Sequence, residues 1–199
     1  MRDFSAELAA QKERREKESN TLDTLNKHYH WTPEEGKILR HFTESSYPLN
    51  NSLWKKDNEN SQRINEMKGL INKHRTPEDM TVYSKSVHDP NKLKDENGVV
   101  HHPAFLSSSV HHSTVRHYFE RNSLYTKLTP TIEKVNHMWH IHVPKGSPGA
   151  FIHDEHSLNP KYKEFVMQGG SNLQHHHTEI EQGTEKGESW LHHHLTLMK

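Results

Sequence analysis

Two short segments of the sequence place a carboxylate and a row of hydroxyls where they could work together. Residues 105–110 run from an apolar start into three consecutive serines at 107–109. Residues 163–170 carry an acid, Glu164, ahead of an apolar run that ends in a Gln-Gly-Gly turn. Each pattern is typical of a short strand bounded by a turn. A carboxylate at a strand end can offset positive charge in a transition state, although most glutamates there are simply exposed.

The composition limits the class of protein. The 199 residues suit one compact domain with room for a small appendage. Lys plus Arg and Asp plus Glu both number 26, so the net charge favours neither a nucleic acid nor an acidic lipid as partner. The absence of cysteine excludes disulfides, thiolate metal sites and a cysteine nucleophile. No apolar run reaches the roughly 20 residues that a membrane helix needs, and no secretory apolar core is present, so we expect a cytoplasmic protein without a membrane partner.

The first 27 residues differ in character from the rest. Residues 8–18 contain helix formers but almost no apolar stripe, so a solvated helix that frays is the simplest interpretation and a docking arm is the alternative. A packed domain is therefore predicted over 28–199. Within it, we expect a helical part over 28–78 and a β core over 79–199.

Three helices are predicted in the helical part. The first begins at Thr32-Pro33, where Thr32 and Glu35 can form a capping box. A second, short helix follows Pro48 over 49–54. The third is indicated by apolar residues at helical spacing, namely Ile64, Met67, Leu70 and Ile71.

After residue 79 the pattern favours strands. Six short runs are β-rich or alternating and are bounded by glycine, proline or asparagine turns. They cover 80–83, 104–108, 138–143, 164–167, 173–180 and 189–198. A helix over 115–119 is predicted between the second and third runs. Helices followed by a mostly antiparallel two-sheet β core give an α+β fold.

The 21 histidines raise the question of a metal site. His140 and His142 share one face of a predicted strand and could chelate an ion, as in cupin-type enzymes, but no glutamate follows them as a cupin site requires. The runs at 175–177 and 192–194 are expected to face each other across a C-terminal hairpin, with stacked imidazoles. We therefore expect no functional metal, and a histidine-dependent metal enzyme is the lesser alternative.

The order and spacing of three strand segments resemble the core of ADP-ribosyltransferases. That family carries an Arg on its first strand, a Ser-Thr-Ser on its second and a Glu-x-Glu or Gln-x-Glu opening a later strand. Here residues 80–83, the serines at 107–109 and Glu164 stand at those places. The resemblance covers about 31–198. It is closest in character to bacteriophage members, which modify host proteins during infection.

The resemblance implies NAD as substrate and no metal. Cleavage of the nicotinamide–ribose bond builds positive charge on the sugar, and a carboxylate bound to the ribose 2-hydroxyl stabilises that charge. Glu164 would take this part, Ser107 would contact the nicotinamide ribose and orient Glu164, and Ser109 would brace the strand. The acceptor of ADP-ribose would be a macromolecule, most simply a host protein, with nucleic acid left open.

Two departures from the family pattern change the expected specificity. Tyr83, Ser84 and Lys85 stand where the family has Tyr-Arg-Gly, so these three are expected at the NAD site without the phosphate-binding arginine. Lys85 is the nearest cation, and Arg116 or Arg121 are alternatives, although lysine offers a point charge rather than a bidentate fork. Weaker NAD binding would follow.

The second departure concerns the acceptor. Tyr162 occupies the position of the first acid of Glu-x-Glu, which in the family contacts the target and accompanies arginine as acceptor. We therefore expect Tyr162 to contact the acceptor, and we do not expect the protein to be specific for arginine. A weakened relative that acts as an NAD glycohydrolase or a binding protein is the alternative function.

Overall fold

The computed structural model describes residues 4–86, 88–121, 134–182 and 188–198. The helices within these ranges are α1 Phe4–His28, α2 Pro33–Glu44, α3 Tyr47–Lys55, α4 Ser61–Lys73, α5 Pro90–Leu93 and α6 His112–Arg121. The strands are β1 Met80–Ser86, β2 Val99–His102, β3 Leu106–Ser109, β4 Lys134–Val143, β5 Gly149–Phe151, β6 Glu164–Met167, β7 Ser171–Gln182 and β8 Glu188–Leu197. Two 3₁₀ turns, Asp154–His156 and Pro160–Tyr162, lie between β5 and β6. In the described part of the chain, no helix has the length and apolar character to cross a membrane.

Residues 4–28 form the helix α1, as predicted, but the second half of α1 packs against the main hydrophobic core. Leu25 is fully buried and, with Tyr29 just beyond the helix, belongs to the main hydrophobic core. The Tyr29 hydroxyl donates a hydrogen bond of 3.1 Å to the carbonyl of Gly149. The charge pattern indicated a solvated helix because the apolar contacts come from only a few residues near the end of α1.

The helices α2 and α3 begin close to the predicted positions, and α4 contains the apolar residues that were predicted to mark it. The capping box at α2 is confirmed, since Thr32 Oγ1 accepts the Glu35 N–H at 3.3 Å and Glu35 Oε2 accepts the Thr32 N–H at 2.9 Å. The apolar residues predicted in α4 are buried, and they form a second core cluster with residues of β5 and β6. This cluster fixes the helical part against one end of the sheet.

The eight strands follow one hydrogen-bonded order, β2-β7-β8-β4-β1-β3-β6-β5. The strand β4 pairs parallel with β8, and the other pairs are antiparallel. Only one register pair, Tyr83 with Ser109, joins β1 to β3. At this contact the sheet divides into a five-strand part, β2-β7-β8-β4-β1, and a three-strand part, β3-β6-β5. The predicted α+β class is confirmed, and the two predicted sheets correspond to these two parts, which meet at one point.

Two short strands, β2 and β5, and the helix α5 were not predicted from the sequence. The strand β5 has only three residues and starts with a glycine, which disfavours a strand. A Cβ at Gly149 would collide with the ring of Phe165, so glycine is required for the close packing of β5 on β6. The strand β2 follows the Asn97-Gly98 turn, whose glycine has a φ of 77°, and it is four residues long.

Candidate active site

A cleft opens where the two parts of the sheet separate. Beside the Tyr83–Ser109 pair, the hydroxyl of Ser84 donates a hydrogen bond of 2.7 Å to the carbonyl of Ser107. These contacts hold β1 and β3 together, and the cleft beside them has a volume of about 340 Å³. Its lining includes every residue that the sequence predicted for the site, namely Tyr83, Ser84, Lys85, Ser107, Ser109, Tyr162 and Glu164.

Glu164 is the first residue of β6 and is half-buried in this cleft. Lys163, immediately before it, has a left-handed backbone (φ 45°, ψ 57°), which turns the chain from the 3₁₀ turn into the strand. The backbone carbonyl of Glu164 accepts a hydrogen bond of 2.9 Å from Ile152. Desolvation raises the pKa of the Glu164 carboxyl, and a hydrogen bond from Ser107 partly offsets that increase.

The three serines of β3, at 107–109, have different hydrogen-bond partners. In the antiparallel register Ser109 lies opposite Glu164, so Ser107 is its diagonal neighbour on the same face and reaches its carboxylate. The buried hydroxyl of Ser108 donates to the carbonyl of Phe165 at 2.6 Å. Ser109 donates to the carbonyl of Tyr162 at 2.5 Å. Ser107 therefore orients the carboxylate, while the other two hold β6 and the preceding loop against β3.

The segment from β5 to β6 forms one wall of the cleft, and it is tied to the fold at several points. Lys163 Nζ lies 2.7 Å from both carboxylate oxygens of Asp154. The carbonyl of Lys163 accepts the Val110 N–H at 3.2 Å. Tyr162 is half-buried at the end of the second 3₁₀ turn. Its position beside Glu164 is thus held by the backbone on both sides.

The strand β1 supplies a tyrosine, a serine and a lysine instead of an arginine. Tyr83 is buried, and desolvation together with the nearby Glu18 carboxylate, to which it is hydrogen-bonded, raises the pKa of its hydroxyl. Ser84 is used in the contact between β1 and β3. Lys85 is half-buried and is the only cationic side chain among the described residues that line the cleft.

Of the two arginines considered as substitutes, Arg116 is engaged elsewhere. Its guanidinium lies 2.8 Å and 3.2 Å from the two carboxylate oxygens of Glu181 and 5.4 Å from the centre of the Trp190 ring. It does not belong to the cleft lining that the structure describes. The side chain of Arg121 lies outside the described part of the chain.

Several polar residues of the lining were not predicted. They are Thr43 and Ser46 near the end of α2, Thr114 on α6, and Ser157 and Asn159 between the two 3₁₀ turns. Single serine, threonine and asparagine residues in loops are common, so no local pattern distinguished these. Only the fold brings them to the same cleft.

His140 and His142, the pair considered for a cupin-type site, do not share a metal-compatible group in the described part of the chain. His142 is exposed and belongs to none of the metal-compatible groups among the described residues. His140 instead hydrogen-bonds to His192, with 2.8 Å between Nε2 and Nδ1. The expected stacking across the C-terminal hairpin is confirmed, since the rings of His177 and His194 lie 4.3 Å apart with an interplanar angle of 7°.

Solved structures with the same fold are ADP-ribosyltransferases. The fold matches C3stau2 from S. aureus, solved with NAD, at a TM-score of 0.63 and 12% identity over 92% of this chain and 94% of that one. It matches the toxin Plx2a from Paenibacillus larvae at 0.62 and 16% identity, over 96% of each chain. The Vis toxin from Vibrio splendidus matches at 0.60 and 18% identity, over 94% of this chain and 86% of its own. Vis has also been solved in complex with agmatine.

The match to a family of sequences covers almost the same part of the chain as the matches to solved structures. No curated protein sequence gives a significant match. Residues 10–197 match the family described as ADP-ribosyltransferase exoenzyme, and this span includes all the described residues that line the cleft. The chain therefore belongs to the ADP-ribosyltransferase exoenzyme family, enzymes that use NAD as their substrate.

Proposed function

We propose that the chain is a mono-ADP-ribosyltransferase that splits NAD at the nicotinamide–ribose bond and transfers ADP-ribose to a macromolecule, most simply a host protein. The observation that carries this proposal is the position of Glu164. Its carboxylate lies in the cleft where β1 and β3 separate, and Ser107 holds it by a hydrogen bond. A carboxylate fixed in a partly desolvated cleft interacts more strongly with developing charge than one in water.

The proposed reaction needs only one acidic residue. As the bond to nicotinamide breaks, positive charge grows on the ribose, and Glu164 stabilises it by accepting a hydrogen bond from the 2-hydroxyl. Nicotinamide leaves as a neutral molecule with the bonding electrons, so no general acid is required. The nucleophile of the acceptor then forms the bond to the ribose C1′ and gives its proton to solvent.

The cleft also suggests how NAD is bound without the family's arginine. We propose that Lys85 faces the pyrophosphate, because it is the only cation among the described lining residues. The hydroxyls of Thr43, Ser46 and Ser157 add neutral polar groups around the cleft. Since lysine supplies one point charge rather than a fork, we expect weaker NAD binding than an arginine would give.

The proposal about the acceptor rests on the chemistry of Tyr162 and of the loop around it. Vis has been solved with agmatine, a compound that carries a guanidinium group. A guanidinium acceptor is best oriented by a carboxylate, whereas Tyr162 offers an aromatic face and one hydroxyl. We therefore propose an acceptor other than arginine, chosen by the segment 151–163. The resemblance to bacteriophage members supports a host protein in this place.

The test combines NAD turnover with labelling of a host lysate. The wild type should release nicotinamide and transfer labelled ADP-ribose to lysate proteins, with and without a chelator. Glu164→Gln should lose transfer by on the order of 100- to 1,000-fold, because the amide keeps the shape without the charge. The matched control is Glu96→Gln, an exposed glutamate away from the cleft, which should behave as wild type.

Three outcomes would count against the proposal. Turnover by folded Glu164→Gln within a few-fold of wild type would remove the assigned part of Glu164. Nicotinamide release without any labelled protein would favour an NAD glycohydrolase. Loss of nicotinamide release on addition of chelator, in protein that stays folded, would favour a metal enzyme.

A further inference from the structure

We propose that Asp89, His137 and His193 bind one divalent transition-metal ion, with zinc preferred, at a site separate from the NAD cleft. Asp89 lies just before α5, His137 on β4 and His193 on β8. One carboxylate oxygen and one ring nitrogen from each histidine lie within 4.8 Å of one another. None of the three belongs to the described lining of the NAD cleft.

The distances suit a small tetrahedral ion. Zinc with bonds of about 2.0–2.2 Å places its ligand atoms about 3.3 Å apart. The Nδ1 of His137 and the Nε2 of His193 are 2.9 Å apart, and no pair in the group exceeds 4.8 Å. Small rotations of the side chains are therefore enough to move the three atoms onto one ion. The backbone of β4 and β8 need not change, since the two strands are paired along their length.

The chemical nature of the three side chains also suits a metal. Each imidazole can offer a ring nitrogen, and the aspartate can offer a carboxylate oxygen. Two imidazoles and one carboxylate are ligands that zinc accepts.

Neighbouring groups orient the ligands, as is usual around protein-bound metals. The Nδ1 of His193 lies 2.9 Å from the hydroxyl of Thr178, so a proton on Nδ1 leaves the lone pair on Nε2, which lies 2.9 Å from Nδ1 of His137. The Thr178 hydroxyl lies 3.1 Å from Nε2 of His175 and can donate to it in turn. Asp89 Oδ1 accepts the backbone N–H of Asn91 at 2.9 Å, which fixes the carboxylate.

Two further groups of metal-compatible side chains are less suitable. In the first, His112, His140 and His192 provide no carboxylate of their own, and the Nε2 of His192 already lies 3.0 Å from the carboxylate of Glu181, which is paired with Arg116. The second group consists of His177, Glu179 and His194, of which His177 and Glu179 are exposed and would lose more side-chain freedom on binding. The group with Asp89 combines a carboxylate, a fully buried histidine and fixed neighbours.

A metal at this site would connect three separate parts of the chain. Asp89 follows β1, which carries Tyr83, Ser84 and Lys85 into the NAD cleft, and the two histidines belong to the paired strands β4 and β8. Since metal binding to the folded state alone shifts the folding equilibrium, the ion should raise thermal stability. Its part is structural, and the proposal does not depend on the proposed reaction.

The experiment measures zinc binding by the full chain, purified through a tag without histidines and stripped by a chelator. Calorimetric titration with zinc should give one tight equivalent, and cobalt(II) should give the absorption bands of a four-coordinate ion. Asp89→Asn keeps the oxygen that caps α5, and His137→Gln changes a half-buried position. Each substitution removes a proposed zinc ligand and should weaken zinc binding by about 100-fold. This is the upper end of the effect on metal affinity when a group that only hydrogen-bonds to a metal ligand is replaced.

Two histidine variants serve as matched controls. His142→Gln removes an exposed imidazole of the same strand, and His140→Gln removes a member of the competing group. Both should bind zinc as the wild type does, and only the wild type and these controls should gain several degrees of thermal stability with zinc. Melting curves without metal establish that each variant is folded, and if Asp89→Asn fails to fold, His137→Gln decides alone.

The proposal is overturned by any of three results. These are the absence of a saturable equivalent in the wild type, wild-type affinity in folded His137→Gln, and a loss of affinity in His140→Gln that equals or exceeds the loss in His137→Gln. Nicotinamide release can be normal in all of these cases. Failure of the zinc site is therefore distinct from failure of the proposed transferase.

Discussion

Glu164 carries its charge in a place that water reaches only partly. Desolvation raises its pKa, so the folded protein binds the proton of this carboxyl more tightly than the unfolded chain does. Below the unfolded value of 4.5 both states are protonated and no stability is lost. As the pH rises through the folded pKa, ionisation in the cleft destabilises the fold. The same desolvation that favours the proposed catalysis thus costs stability.

This linkage predicts a pH-dependent gain in the Glu164→Gln variant. At pH 7 the variant should melt at a higher temperature than the wild type, because glutamine never ionises. The difference should shrink toward zero as the pH falls below about 4.5, the ordinary value. Thermal unfolding over a series of pH values measures this, with Glu96→Gln as the baseline. A variant that is less stable than wild type at pH 7 would contradict the assigned environment.

The neighbouring serines should separate catalysis from stability. Ser107→Ala removes the hydrogen bond to Glu164, so turnover should fall and the Michaelis constant for NAD should rise, while the fold stays intact. Ser108→Ala leaves the buried carbonyl of Phe165 without its partner, which costs about 1–3 kcal/mol of stability with little change in kinetics. Steady-state kinetics and urea unfolding of both variants test this. Equal kinetic losses at the two positions would show that the assigned register is wrong.

At the scale of elements, the loop from β5 to β6 forms one wall of the cleft. Tyr162 and Lys163 are held by backbone contacts with Asn159 and Pro160, and Lys163 is held by Asp154 as well. This wall of the cleft is therefore held by contacts within the chain. We expect the proposed acceptor to fit this surface rather than to order it.

Removing the ring of Tyr162 should affect transfer more than hydrolysis. Tyr162→Ala keeps Glu164 and its strand, so water can still attack the ribose, but the aromatic face for the acceptor is lost. We expect labelling of lysate proteins to fall far more than nicotinamide release, and free arginine to be a poor acceptor in both forms. Mass spectrometry of a labelled lysate measures the ratio. Strong labelling of free arginine that survives Tyr162→Ala would refute this account of the loop.

The elements themselves were predictable where they are long or capped. The capping box at α2 and the apolar spacing of α4 are local, so their sequence signals were sufficient. The strands β2 and β5 escaped because four and three residues carry too little pattern. They exist through pairing with β7 and β6, which lie far away in the sequence.

At the scale of the whole molecule, α1 is the element whose part changed most. Glu18 near its middle accepts the backbone N–H of His112 at 3.1 Å, and its carboxylate is hydrogen-bonded to Tyr83, which lines the cleft. Leu25 and Tyr29 then enter the main core. The charged helix therefore links the helical part, α6 and β1.

A pair of leucine variants tests this packing. Leu25→Ala should lower the free energy of unfolding by about 2–5 kcal/mol, because a fully buried leucine leaves a cavity. Leu8→Ala is the matched control on the same helix, since Leu8 is 65% exposed, and it should change stability by less than about 0.5 kcal/mol. Chemical unfolding of both variants measures the difference. Equal and small effects would mean that α1 is a solvated arm after all.

The sequence alone determined the α+β class, the helices with strong caps or spacing, and seven of the residues that meet in the cleft. Glu164 and the serines could be found because a lone acid and a row of serines at strand ends leave marks in a few adjacent positions. The other four, Tyr83, Ser84, Lys85 and Tyr162, were found through the resemblance to ADP-ribosyltransferases. The tertiary structure alone decided that Ser84 joins β1 to β3, that Arg116 is held by Glu181, and that Asp89 meets His137 and His193. Each of these contacts joins residues more than twenty positions apart, and only the pairing of strands and the closing of the core bring such residues together.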